Sequence, residues 1–298
     1  MLSAIISAFT CVFARAALSV CDRKIFKKET NDFVFSLFLN ALFPFLLAIV
    51  VAMTFGEGKK YFFSYFLTLG MFLSAFSNQI ASGVFSHCFR TMAVKSIVAI
   101  SKATDLFIPL IIFFITKKFK LHEYSFSCLS VAAFSPICFQ AYKSKSSINV
   151  FIASSLMLSL FFQVGVNTHF SMNKIADTWP KFFSLMSCIL LWRTIFASLL
   201  LFFRWLRKEH QIDDGQKKEV EVRKLFLRSF LAFTAQSAFF YSITRASSVI
   251  AWPILNLSPS FACLAAHLLL KERIEKVEAV ALVLFFSISI LYIFFNWY

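Results

Sequence analysis

Residues 247–276 read Ser-Ser-Val-Ile-Ala-Trp-Pro-Ile-Leu-Asn-Leu-Ser-Pro-Ser-Phe-Ala-Cys-Leu-Ala-Ala-His-Leu-Leu-Leu-Lys-Glu-Arg-Ile-Glu-Lys. No Asp, Glu, Lys or Arg falls between Ser247 and Leu270, and the sequence then turns polar at Lys271-Glu272-Arg273. An uncharged apolar stretch of about 20 residues is long enough to cross the roughly 30 Å hydrocarbon core of a bilayer as one helix. The segment is expected to do so, with its charged end at the water interface. Pro259 is expected to free a backbone carbonyl near the midplane, which is tolerated at membrane depth only where protein or a lined cavity satisfies it.

The same pattern recurs along the chain. Spans are expected at about 2–21, 34–54, 62–85, 93–116, 123–142, 150–172, 182–203, 226–244, 247–270 and 277–296, each near the length a bilayer requires. Hydrophobic residues make up 59% of the 298 residues and charged residues 15%, well under the quarter or so of a soluble domain. The predicted fold is therefore all-α: a polytopic membrane protein of ten transmembrane helices. The connections are short and leave no room for a soluble enzyme or ATPase domain. The first stretch lacks the basic start of a signal peptide and reads as a span. Phenylalanine is abundant, at 42 residues, and glycine scarce, at 6, so few GxxxG crossings are available.

The net charge of +15 does not imply a nucleic-acid partner. The basic residues collect at span ends, where they anchor and orient the chain. Cys11, Cys21, Cys88, Cys128, Cys138, Cys188 and Cys263 form no CxxC pair, which argues against a zinc site or a disulfide framework. No Walker motif, HExxH or GxSxG occurs. Neither an enzyme, nor a bound metal, nor a cofactor is expected, although an intramembrane enzyme built on Asp105 is left open.

Two segments echo each other. Phe76-Ser77-Asn78-Gln79 matches Phe233-Thr234-Ala235-Gln236. Each is followed by a span-end arginine, Arg90 or Arg245, then by a proline-bearing apolar run and a charged turn. The offset is about 154–157 residues throughout. Two halves, 1–147 and 148–298, follow. With an odd number of spans per half they enter the membrane in opposite directions, as inverted repeats of secondary transporters do.

The stretch Trp252 to Ala262 followed by Leu268-Leu269-Leu270-Lys271-Glu272-Arg273 resembles the EamA type of the drug/metabolite transporter superfamily. The first half departs from that pattern, with Lys118 near the family glutamate position and Asp105 near that of Pro259. The resemblance implies a secondary transporter of a small metabolite, multi-pass in the cell inner membrane, with lipid and solute as its partners. In its Phe-rich, Gly-poor layout the chain is also similar to the S-adenosylmethionine/S-adenosylhomocysteine transporters of the superfamily. That similarity implies uptake of S-adenosylmethionine in exchange for S-adenosylhomocysteine. An exporter of amino acids or amphipathic amines and a non-transporting membrane scaffold remain open, as does a homodimer.

Ionisable side chains within spans are functional suspects, because a charge in hydrocarbon costs at least a few kcal/mol. Lys102 and Asp105 share a helix face. They form either an internal ion pair or a split site for a carboxylate and a cationic group. Arg193 beside Trp192 is either a clamp for a planar ligand or an interhelical partner. Arg15 either acts in a site or snorkels to the headgroups, and His169 is its mate across the repeat. Trp252 and Asn256 lie on one face with Pro259, as cavity wall or as packing stripe. Gln79 and Gln236, the repeated glutamines, are cavity donors or interhelical glue. The bias of Lys and Arg toward odd-numbered connections puts both termini outside, whereas the nucleotide-sugar branch of the superfamily implies both inside.

Overall fold

In lipid an unclosed backbone satisfies all its polar groups only as a helix. Every regular element among the described residues is α-helical. The computed structural model describes residues 2–26, 33–105, 107–117, 121–143, 150–169, 178–206, 222–245 and 248–297. The helices are α1 (Leu2–Phe26), α2 (Phe33–Thr54), α3 (Gly58–Phe66), α4 (Leu69–Thr91), α5 (Val94–Asp105), α6 (Ile108–Thr116) and α7 (Leu121–Lys143). They continue as α8 (Val150–His169), α9 (Trp179–Leu206), α10 (Val222–Arg245), α11 (Ser248–Leu255), α12 (Ser258–Leu270) and α13 (Lys276–Trp297). Among the described residues, five stretches combine the length and the apolarity of a bilayer span: Leu2–Phe26, Phe33–Thr54, Val150–Asn167, Trp179–Leu206 and Pro253–Leu270. The chain is a multi-pass membrane protein.

Three of the expected spans are interrupted. The run 62–85 divides at Leu67–Thr68: Thr68 adopts extended backbone, and its N–H and hydroxyl both donate to the Tyr65 carbonyl, at 3.0 and 2.8 Å. The run 93–116 divides between α5 and α6, and 247–270 between α11 and α12. In both, a proline (Pro109, Pro259) occupies the first turn of the new helix, where its missing N–H costs nothing. The following helices end alike. Lys117 and Lys271 close α6 and α12 in the left-handed region, at φ 56° and 57°, a common helix stop.

Packing links the start of the chain to its end. α1 lies along α10 and against α11 and α12, while α8 lies along α4 and against α5 and α6. α2 pairs with α9, and α7 with α13. Ala4, Ala8 and Cys11 on α1 are fully buried, and small residues allow this close approach. Between α7 and α13, Phe134 meets Phe285 edge to face at 4.9 Å.

A repeated hydrogen bond joins α3 to α9. Ser184, Cys188 and Trp192, one turn apart on α9, donate to the carbonyls of Gly58, Phe62 and Phe66 at 2.9, 3.2 and 2.9 Å. The turn that starts α3 needs glycine, because a Cβ on Gly58 would collide with the Ala52 carbonyl oxygen. Gly58→Ala is expected to cost roughly 1–3 kcal/mol by displacing this ladder. Thermal unfolding in detergent checks it, and an unchanged midpoint would contradict the close approach.

At one end of the bundle a polar cluster ties α1, α4 and α5 to α12 and α13. Arg23 lies 3.8 Å from Glu272 and donates to the Phe89 carbonyl at 2.5 Å. Lys95 pairs with the buried Glu278 at 2.8 Å and donates to the Arg273 carbonyl at 3.2 Å. Glu272 also accepts from the Val94 N–H at 3.4 Å. The Lys271-Glu272-Arg273 turn is thus a contact between chain regions far apart in sequence. Lys118 and the charged connection 207–221 lie outside the described residues.

Candidate functional site

A cavity of about 800 Å³ opens among α1, α2, α4, α5, α8, α9, α10 and α12, within the range typical of small-molecule sites. Its apolar wall mixes aliphatic side chains with five phenylalanines, Phe85, Phe89, Phe182, Phe239 and Phe240. Its charged lining consists of Arg15, Arg193, Arg228 and Asp22. Asp22 is fully engaged: both carboxylate oxygens accept from Arg228, one from Nε and the other from Nη2 at 3.2 Å. Arg15 lies over the Phe239 ring at 5.0 Å. Three guanidinium groups therefore face one carboxylate among the described lining residues.

The uncharged polar lining consists of serines and amides. On α4 and α8, Gln163 donates to the Asn78 side-chain oxygen at 2.6 Å, Asn78 donates to the Ser74 carbonyl at 2.7 Å, and the Ser74 hydroxyl donates to Asn167 at 3.0 Å. This chain fixes one wall. Asn40 on α2 differs. It is 1% exposed, and neither its amide nitrogen nor its amide oxygen has a hydrogen-bond partner. Pro44, one turn on and also in the lining, lacks the N–H that would bond the Asn40 backbone carbonyl.

Of the residues singled out from sequence, Arg15, Arg193 and Gln236 line the cavity. Gln79 stands behind Arg193, with its side-chain oxygen accepting from Arg193 Nε at 3.1 Å. Lys102 is buried outside the lining. It donates to the Asn256 side-chain oxygen at 2.8 Å and lies 5.2 Å from the Phe285 ring centroid. Its neighbour Ser101 and Ser258 near Asn256 do line the cavity, so the pair sits directly behind the wall. Trp192 faces α3 and α4: it stacks on Phe66 at 5.1 Å and meets Phe72 edge-on. His169 is exposed near the end of α8. Asp105 ends α5 and Trp252 lies within α11, but their side chains lie outside what is described.

Sequence reasoning passed over Asn40, Asn78, Gln163, Asn167, Asp22 and Arg228. Gln163 and Asn167 are one turn apart in an apolar run, which is a readable stripe. The expected spans 2–21 and 226–244 put Asp22 and Arg228 at or near their ends, whereas α1 continues to Phe26 and α10 begins at Val222.

No curated protein matches the chain. A solved crystal structure shares the fold, with a TM-score of 0.62 at 10% identity over 97% of this chain and 96% of that one. Residues 181–294, in the second part of the chain, match the EamA-like transporter family.

Proposed function

We propose that the chain is a secondary transporter of the cell inner membrane, built as two inverted five-span halves, 1–147 and 148–298, with its solute carried in the central cavity. The carrying observation is the 800 Å³ cavity, walled by phenylalanines, arginines and amides drawn from both halves. Several features support the inverted repeat. Under a two-fold axis in the membrane plane, equivalent residues touch only at the axis, and Lys102 bonds Asn256 at a separation of 154. Lys117 and Lys271 share the left-handed helix stop at the same separation (271 − 117). The packing of α1 on α10 has its counterpart in α8 on α4.

The cargo is S-adenosylmethionine, taken up against S-adenosylhomocysteine. Aromatic faces suit a purine, and amides suit its polar edge. Cells expressing the protein are expected to accumulate radiolabelled S-adenosylmethionine above an empty vector, faster when preloaded with S-adenosylhomocysteine. No uptake by protein shown to reach the membrane would sink this cargo. An exporter of simple amines fits less well, because three arginines against one carboxylate repel a cation lacking an anionic group.

A further inference from the structure

We infer that Arg193 is the oxyanion-recognition residue of the cavity: it receives the carboxylate or phosphate group of the solute, with Asn40 as a second contact and Gln79 as the residue that positions it. The inference rests on the cavity being the transport site and adds which chemical group the site selects. Its first support is an uncompensated charge. Arg193 lies mid-helix on α9, and its only hydrogen bond among the described residues is from Nε to Gln79. The one carboxylate of the described lining, Asp22, is held in a two-point contact by Arg228. A guanidinium in a low-dielectric wall without a counter-charge is costly, and an anionic ligand removes that cost.

The second support is independent. Asn40 is buried and has no partner for either amide atom, yet it lines the same cavity on α2, the helix that packs along α9. A buried polar group left unpaired costs about 1–3 kcal/mol, so a native one calls for an explanation. A ligand atom in the cavity supplies it. Gln79 fixes the geometry. By accepting from Nε it leaves the Nη1 and Nη2 edge of Arg193 free, and that edge matches two oxygens of a carboxylate or phosphate.

The test uses the full chain purified in detergent. Its melting temperature is followed in sodium acetate, in inorganic phosphate and in sodium chloride at matched ionic strength. A ligand that binds only the folded state raises the midpoint. An upward shift of several degrees is expected for acetate or for phosphate over chloride, and the larger shift identifies the group recognised. Arg193→Gln should abolish the shift. Should that variant misfold, Asn40→Asp provides a built-in carboxylate. It should melt higher than the parent without added anion and respond no further to acetate or phosphate. No oxyanion-specific shift in the parent protein, or an equal shift in Arg193→Gln, overturns the assignment. Uptake without an oxyanion response removes this assignment alone, whereas an oxyanion response in protein that moves no solute removes the transport reading and leaves the site.

Discussion

Asp22→Asn is expected to destabilise the protein by about 3–5 kcal/mol, the usual consequence of removing one partner from a buried ion pair. The side chains of Asp22 and Arg228 are 8% and 12% exposed. They join α1 to α10 by two hydrogen bonds. Asparagine keeps the shape and removes the charge, so Arg228 is left as an isolated cation beside two other guanidinium groups of the cavity. Arg228→Met should cost a similar amount by stranding the carboxylate. The double variant Asp22→Leu/Arg228→Met should recover much of the loss, because replacing both partners with apolar groups of like volume is often nearly neutral. Unfolding midpoints of the parent, Asp22→Leu, Arg228→Met and the double variant in one detergent form the double-mutant cycle, with Asp22→Asn measured beside them. Single variants within about 1 kcal/mol of the parent would show that the pair behaves like an exposed one.

This pair marks where reading the sequence stopped short. Apolar runs place helices well because the bilayer demands length and excludes charge. The interruptions in 93–116 and 247–270 were signalled by Pro109 and Pro259. The break at Thr68 had no proline to announce it, and the aromatic residues of α3 merged with the run that follows. Facing is harder. A helix turns 100° per residue, so an error of one or two residues in a span end changes depth little, but periodicity alone cannot say which polar stripe meets a cavity and which meets another helix. Lys102 and Asn256 are 154 residues apart, within the repeat offset, yet only the packing puts them behind the wall instead of in it. Arg193 was visible as a mid-span charge. Its partner Gln79 was visible only as a repeated glutamine, and Asn40 only as a polar residue one turn before Pro44.

Asn256→Leu is expected to be more damaging than Lys102→Met, and the difference separates a structural link from a binding contact. Lys102 is 2% exposed, and its ammonium donates to Asn256 at the point where α11 gives way to α12. Removing the asparagine oxygen takes a hydrogen bond from a buried cation, worth about 1.5–3 kcal/mol. Of this hydrogen bond, removing the ammonium leaves behind a neutral amide, for about 1 kcal/mol, and takes the desolvated charge away with it. Neither group lines the cavity. Both variants should therefore leave the half-saturating solute concentration within about twofold of the parent, a difference of roughly 0.4 kcal/mol. Turnover should fall, because the pair ties α5 to the break between α11 and α12, whose continuation supplies Ser258 and Pro259 to the cavity wall. Thermal melts measure the first comparison, and concentration-dependent uptake into proteoliposomes the second. If Lys102→Met instead raised the half-saturating concentration tenfold with turnover unchanged, Lys102 would be contacting the solute. The wall would then have to open at Ser101 and Ser258 during the cycle.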